Sequence, residues 1–561
     1  MTTVGASDLS SPRTRLAKLG FLGLVLLGLI FVIAMWRYAS NSPYAYDDTR
    51  MYLKLFEDRY LGEDRGFLQR LSYFFSGTNY PHAKFSGRVM AYVQYLTTGS
   101  VNFKYLIAAG SAVMVASVVA MRGVFKIGTL PALSLALMLW TPITVNFWLG
   151  PITGYPFLIF YAAITLGLLL RGAVFYAIPV AVVAAFTHTP GWAVFLFCVP
   201  MFVLPHLRTP KYIAAWVGSA LLTFYGYWAI AMEGGLSARR TTMPSADASE
   251  GMSKIGCIPE MIAYQGELLA QPMILIFGSY RNFAAETVWH FIIFFAVAAI
   301  VLGLLFWRRK SLKPIDLAAL CFAGFCVLPS CIAMVVNTDC TGDGFVAPRY
   351  VMYALMAWTG ILVLVFRLLP RRIGSVIALG LSVMFIFRAV EIYEAAPMVS
   401  ADKETYFLER ITRSVIAEDD DDMQVDRRWL QESQVVSRAI TAGYFKPTKL
   451  GALVTKSDAN VIAEANILPP SDRQPAFLVK QRSDTICYMK VFLSSDVDSV
   501  ILTSDTHASP IFIDMEPTSL RVSRGYPGVS EINAELEGKN PRVSFGFVTQ
   551  DLQVCDNDYL A

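Results

Sequence analysis

"GFLGLVLLGLIFVIAMW", residues 20–36, carries no charged side chain. A helix that crosses the hydrocarbon core of a bilayer needs roughly 20 apolar residues, with a range of about 17–25. This stretch meets the requirement. No small-residue cleavage site follows close behind it, so it reads as a retained first membrane helix and not as a removed signal. Arg13, Arg15 and Lys18 precede it. Cytoplasmic flanks collect Lys and Arg, so residues 1–18 are expected to be a cytoplasmic tail.

The rest of the chain repeats this character. Of 561 residues, 55% are hydrophobic and only 16% charged, against about 25% charged in an ordinary soluble domain. Mean hydropathy is +0.48. The expected fold is a polytopic α-helical membrane protein of about 11 spans, at about 19–37, 102–121, 127–146, 155–170, 173–187, 190–205, 211–232, 285–306, 314–336, 350–367 and 373–391. Only Arg171 and Gly172 separate the fourth from the fifth. Alternate connections are basic: Arg122/Lys126, Arg171, Arg208/Lys211, Arg308/Arg309/Lys310/Lys313 and Arg367/Arg371/Arg372. Those loops are expected on the cytoplasmic side, and an odd number of spans puts the C-terminus outside. A net charge of +4 is too small to argue for nucleic acid, and no basic tract or base-stacking motif appears, so no nucleic-acid partner is expected.

The transmembrane part is expected over 19–399, with a large exterior loop at 38–101 and further exterior pieces at 147–154, 233–284 and 337–349. After Ala401 charge rises, in "EDDDDMQVDRRWLQESQVVSRAI". Beyond 450 come short apolar runs, "AFLVK", "CYMKVFL", "SVILTS", "PIFIDM" and "VSFGFVT", whose β-branched content and turn-rich flanks read as strands. Residues 400–561 are therefore expected to form an extracytoplasmic α+β or β-rich domain. Cys198, Cys321, Cys326 and Cys331 fall in spans and read as inert core residues. Cys257, Cys340, Cys487 and Cys555 are exterior by this topology. An oxidising space permits Cys487–Cys555 and Cys257–Cys340 bridges, with four free thiols as the alternative.

The exterior loop opens with "YAYDDTRMY", residues 44–52. "TRMYLKLFEDRYLG" then puts Tyr52, Leu55, Phe56 and Tyr60 on one helical face, and "FSGRVMAYVQYL" does the same with Phe85, Val89, Tyr92, Val93 and Leu96. Such segments suit helices lying in the membrane interface. They would hold Asp47 and Asp48 near lipid-headgroup depth.

An acidic pair about ten residues past the first helix, interfacial helices and then "YPHAKFSGRVMAY" (80–92) resemble the first exterior loop of GT-C-type glycosyltransferases. Ser86-Gly87-Arg88 is similar to the aromatic-x-Gly-Arg segment of bacterial members. "NFWLGPITGYPF" (146–157) resembles their short exterior turn. The resemblance covers about 20–391 and leaves the tail out. It implies a bacterial inner-membrane enzyme that moves a sugar from a polyprenyl-phosphate donor to a cell-envelope glycan or glycolipid acceptor on the exterior face. The chain lacks the metal-binding motif of the oligosaccharyltransferases, so neither a metal nor another cofactor is implied.

The chemistry needs a base for the acceptor hydroxyl, a cation for the departing phosphate and a place for the lipid. Asp48, with Asp47 as its neighbour, is the expected catalytic carboxylate; each also suits the N-cap of a helix starting near Thr49. Arg88, Arg349 and Lys84 are the expected phosphate-binding cations, Arg because its planar fork can hold two oxygens. The alternative for Arg88 is a headgroup phosphate or an internal carboxylate, and for Arg349 a snorkelling position at a helix end. His82, Trp148, Tyr155, His188 and His290 complete the expected substrate site. The two aromatics also fit an interface belt, and His188 and His290 also fit helix packing. A transporter or flippase of lipid-linked glycans would favour charges at mid-span and internal repeats, and neither is evident. A polymerase or ligase of such glycans would share this layout.

Overall fold

The computed structural model describes residues 12–39, 50–62, 65–75, 84–140, 154–231, 258–277, 287–337, 351–387, 389–390, 393, 435, 439, 442–445 and seven strands between 477 and 548. The chain divides into two compact units. One comprises Met1–Ala39, Asp64–Met90 and Tyr105–Pro397; the other comprises Ser40–Glu63, Ala91–Lys104 and Met398–Ala561.

The first unit is helical. The opening apolar run lies inside α1 (Pro12–Tyr38), which begins on a proline and ends on a basic turn with Arg37. Proline suits the first helical position because it has no N–H to leave unbonded. There follow α2 (Phe67–Phe75), α3 (Phe85–Thr98), α4 (Phe103–Phe125) and α5 (Thr129–Leu139), of which Ala91–Lys104 belongs to the second unit. Next come α6 (Tyr155–Leu170) and α7 (Val174–Thr187). The weak boundary at Arg171–Gly172 is a real turn: Gly172 has φ +75°, a backbone region that favours glycine.

The stretch expected as a span over 190–205 is broken. It consists of a 3₁₀ turn Thr189–Trp192, the short α8 (Ala193–Phe197) and a second 3₁₀ turn Val199–Val203. Pro190 and Pro200 each remove a backbone donor, which explains the breaks. Beyond it lie α9 (Pro210–Ala231), α10 (Ile258–Phe277), α11 (Thr287–Arg308), α12 (Pro314–Asn337), α13 (Val351–Leu368) and α14 (371–387). α10 falls where only an exterior loop was expected. It packs on α11 and α13, while α12 packs on α13 and α6 on α7.

Three helical stretches among the described residues are long and apolar enough to cross a membrane: Lys18–Tyr38, Phe103–Phe125 and Pro314–Ile332. Shorter apolar helices surround them, including Tyr155–Leu170, Val174–Thr187 and Met352–Leu368. Large apolar side chains such as Leu26, Leu29, Leu222 and Phe306 are exposed. A soluble protein rarely presents so much apolar surface; a bilayer covers it without cost. The chain is a helical, membrane-associated protein.

The second unit joins three separated parts of the chain. Phe56 stacks on Tyr60, with ring centroids 5.2 Å apart, and meets Tyr95 and Tyr444 edge-on. Phe103 packs on Tyr52 and Phe445. Val101 and Phe445 form a parallel bridge, and the Val101 N–H donates to the Tyr444 carbonyl at 2.7 Å. Tyr52, Leu55 and Phe56, expected to face lipid, are instead buried. Aromatic pairs gain energy beyond simple area burial, so protein covers this face in place of the membrane.

The same unit contains two antiparallel sheets, ordered β1-β2-β7-β4 and β3-β6-β5. β1 (Phe477–Arg482), β2 (Ile486–Phe492), β3 (Ser499–Thr503), β4 (Pro510–Glu516) and β7 (Arg542–Val548) fall on the five apolar runs noted above; β5 (Arg521–Arg524) and β6 (Glu531–Glu535) do not. Pro510 stands at the start of β4 beside a register irregularity, a position where its missing N–H breaks no central ladder. Cys198, Cys321, Cys326 and Cys331 are free thiols, the first three buried. Cys257, Cys340 and Cys555 lie outside the described residues, and Cys487 is placed only by its backbone in β2 opposite Phe547.

Candidate functional site

α3 is inside out. In a water-soluble protein the apolar stripe of a helix turns inward. Here Val93 and Leu96 are 47% and 62% exposed, while Lys84, Ser86, Arg88 and Gln94 are buried. The neighbouring α2 likewise exposes Phe67, Leu68 and Leu71 and buries Tyr73. Lipid contact on the outer face accounts for the exposed stripe.

Lys84 stands one turn before Arg88, whose N–H donates to the Lys84 carbonyl at 3.0 Å. The Arg88 guanidinium is 0% exposed. Its Nη1 donates to the Tyr73 carbonyl oxygen at 2.6 Å, and its plane lies 5.4 Å from the Tyr73 ring centroid. Burial pushes the Tyr73 hydroxyl pKa well above its ordinary value, and the charge of Arg88 pulls it part of the way back. Arg88 thus ties α2 to α3 and concentrates positive charge inside the unit. Burying a charge is expensive unless it is compensated, and the Tyr73 carbonyl is one of the groups that compensate Arg88.

Ser86, between the two cations, reaches α7. Its Oγ lies 2.7 Å from Thr187 Oγ1 and 3.0 Å from the Tyr161 hydroxyl. Thr187 Oγ1 donates to the Val183 carbonyl at 2.7 Å. Each hydroxyl has one proton, so the direction follows: Tyr161 donates to Ser86, Ser86 to Thr187, and Thr187 to Val183. The start of α3 is thereby fastened to the residue next to His188.

His188 ends α7 in an extended conformation, with φ −160° and ψ 154°. The turn after it requires glycine, because a Cβ on Gly191 would collide with the Ala184 backbone carbonyl. The His188 ring packs on Tyr155, centroids 4.6 Å apart, and Tyr155 meets Tyr353 at 4.9 Å. Tyr353 in turn packs against the Tyr264–Leu268–Ala354 cluster between α10 and α13. Lys84, Arg88, Tyr155 and His188 therefore belong to one neighbourhood, and the last two are also buried.

α10 adds acids that the sequence reading passed over. Glu260, Tyr264 and Glu267 recur at four and three residues, so they share one face of the helix. Burial raises the Glu267 pKa to about 7. The spacing of two glutamates and a tyrosine within the expected exterior stretch 233–284 was the signal available for finding them. On the adjacent face Gln265 Nε2 donates to Ser330 Oγ at 2.8 Å, and Trp358 Nε1 donates to the Leu269 carbonyl at 2.8 Å.

Asp47, Asp48, His82, Trp148 and Arg349 lie outside the described residues. His290 lies in α11, placed there by its backbone alone. Among the described residues no group of three or more His, Cys, Asp or Glu is arranged to hold a metal ion. No known protein family, curated protein or solved structure matches the chain.

Proposed function

We propose that the chain is a membrane glycosyltransferase. It moves a sugar from a polyprenyl-phosphate donor to a cell-envelope glycan or glycolipid on the exterior face of a bacterial plasma membrane. In this reading about eleven spans place the N-terminus in the cytoplasm and residues 400–561 outside. The observation that carries it is the burial of Lys84 and Arg88 at the start of α3, a helix that exposes Val93 and Leu96 further along. That arrangement suits an anion attached to a lipid, with phosphate inward and hydrocarbon outward.

In the transfer, the acceptor oxygen forms a bond to the anomeric carbon while the bond from that carbon to the phosphate oxygen breaks. The departing oxygen keeps the electron pair as polyprenyl phosphate, and the acceptor proton goes to a carboxylate, Asp48, with Asp47 orienting the hydroxyl. Lys84 and Arg88, joined by Arg349, offset charge growing on the leaving phosphate; fixed charge of this kind is often the largest catalytic term. Tyr155 and His188, with His82, Trp148 and His290, form the sugar and acceptor contacts.

The test is Asp48→Asn and Asp47→Asn, singly and together. Asn caps a helix as well as Asp does but accepts no proton. Transfer should fall by about 10²-fold or more for the base, with donor binding and protein level unchanged. Near-normal transfer by all three variants would reduce the pair to a helix start and remove the proposed chemistry.

A further inference from the structure

A cavity of about 600 Å³ lies in the wall of the helical unit. Leu27, Ile30 and Phe31 of α1 line one side, and Ile386, Ala389 and Val390 line the other. Trp140 stacks on Phe31 at 6.1 Å and belongs to the lining. Ile30 and Val390, on its rim, are 61% and 55% exposed, so the cavity opens through the apolar outer surface. Its volume falls within the roughly 300–1,000 Å³ of ligand sites. An apolar cavity of this kind holds water poorly, and left empty it forfeits dispersion contacts along its walls. In a membrane the neighbouring molecule able to fill it is a lipid.

The polar groups cluster toward one end. Tyr38 closes α1, and Tyr393 stands close enough to interact with it. The Tyr393 hydroxyl donates to the Trp140 carbonyl at 3.3 Å. Arg37, exposed in the last turn of α1, falls one heptad beyond Ile30 and so on the same stripe as the cavity rim. From Leu27 to Tyr38 the helix rises about 16 Å at about 1.5 Å per residue, roughly half of a hydrocarbon core about 30 Å thick. The cavity therefore has the depth of a single leaflet, with a cation at its interfacial end.

We infer that this cavity binds one acyl chain of an anionic phospholipid, with the phosphate at Arg37. A polyprenyl carrier is less suited, because its chain overruns one leaflet. The site is separate from Lys84, Arg88 and His188, and the inference rests on α1 crossing the membrane, not on sugar transfer. The bound lipid would fill the gap between the first helix and α14.

The experiment uses the purified full-length protein in detergent. It is titrated with phosphatidylglycerol and with phosphatidylcholine of identical acyl chains and read by native mass spectrometry. The wild type should retain one phosphatidylglycerol with several-fold preference. Arg37→Gln should abolish the preference while phosphatidylcholine still binds. Val390→Trp, at the exposed rim where a large side chain can be accommodated, should reduce both lipids several-fold; Ile30→Trp provides a second filling variant from the opposite wall. Three results would overturn the inference: no headgroup preference in the wild type, undiminished lipid occupancy in both filled variants, or stoichiometric displacement of phosphatidylglycerol by polyprenyl phosphate.

Discussion

Two arginines of the helical unit show how differently the same side chain can be used. Arg367, at the end of α13, directs Nε and Nη2 to one oxygen of Asp316 at 3.1 and 2.6 Å. The other Asp316 oxygen accepts the Lys313 N–H at 3.0 Å, where α12 begins. Nearby, Arg308 Nε donates to the Leu368 carbonyl at 2.9 Å, satisfying a backbone acceptor at a helix end. The charges there are neutralised within the pair and serve to hold helix ends together. Arg88 is more deeply buried, donates to the backbone carbonyl of Tyr73, and has a lysine one turn away. One arginine joins two helix ends through a carboxylate; the other joins α2 to α3 through a backbone carbonyl.

The sharpest way to break this comparison is to make the same conservative change at both arginines. Arg88→Lys should lower donor affinity or turnover by about tenfold or more, equivalent to about 1.4 kcal/mol, because one ammonium cannot reproduce the fork. Arg367→Lys should leave transfer unchanged and cost about 1 kcal/mol or less in stability. Equal effects on transfer, measured with a polyprenyl-phosphate sugar, would erase the distinction.

A smaller effect is expected at Ser86. Ser86→Ala removes the acceptor of the Tyr161 proton and the donor to Thr187, and should cost about 1–2 kcal/mol of stability. Thermal unfolding checks the magnitude. If the link also positions His188, kcat should fall in Ser86→Ala but not in the Arg367→Lys control, whose loss of stability is of similar size.

The smallest expected effect concerns the acids. Asp316 meets a guanidinium, whereas Glu267 is half-buried with its pKa raised to about 7 from an ordinary 4.5. Between those values the folded protein holds a proton that the unfolded chain releases. The contribution of Glu267 to stability is thus fully present below about pH 4.5 and is lost as pH rises through about 7. Glu267→Gln should flatten that part of the melting-temperature profile between pH 5 and 8. An unchanged profile would show that another group sets the pH response.

Much of the helical unit was legible from composition and hydropathy, because hydrocarbon imposes long apolar runs whatever the helices pack against. The opening run, the stretches around 102–121 and 314–336, and the turn at Arg171–Gly172 follow from that constraint. The site was legible only in part. Arg88 and His188 stand out as polar residues in apolar surroundings, but residue type does not reveal that Ser86 and Thr187 bond to each other. Glu260 and Glu267 were passed over because α10 was read as loop.

The amino-acid sequence by itself determined that this chain is helical and membrane-associated, because the cost of exposing a backbone to lipid leaves few other solutions. It also marked the strands β1–β4 and β7 through their short apolar runs. Only tertiary structure decided which face of each helix turns inward. Tyr52 and Phe56 looked lipid-facing and are covered by Tyr95, Tyr444 and Phe103. α3 looked equally amphipathic and buries Ser86, Arg88 and Gln94 while Val93 and Leu96 stay exposed. Periodicity defines a stripe but not its orientation: an apolar stripe is satisfied equally by lipid or by protein, and the choice depends on partners hundreds of residues away.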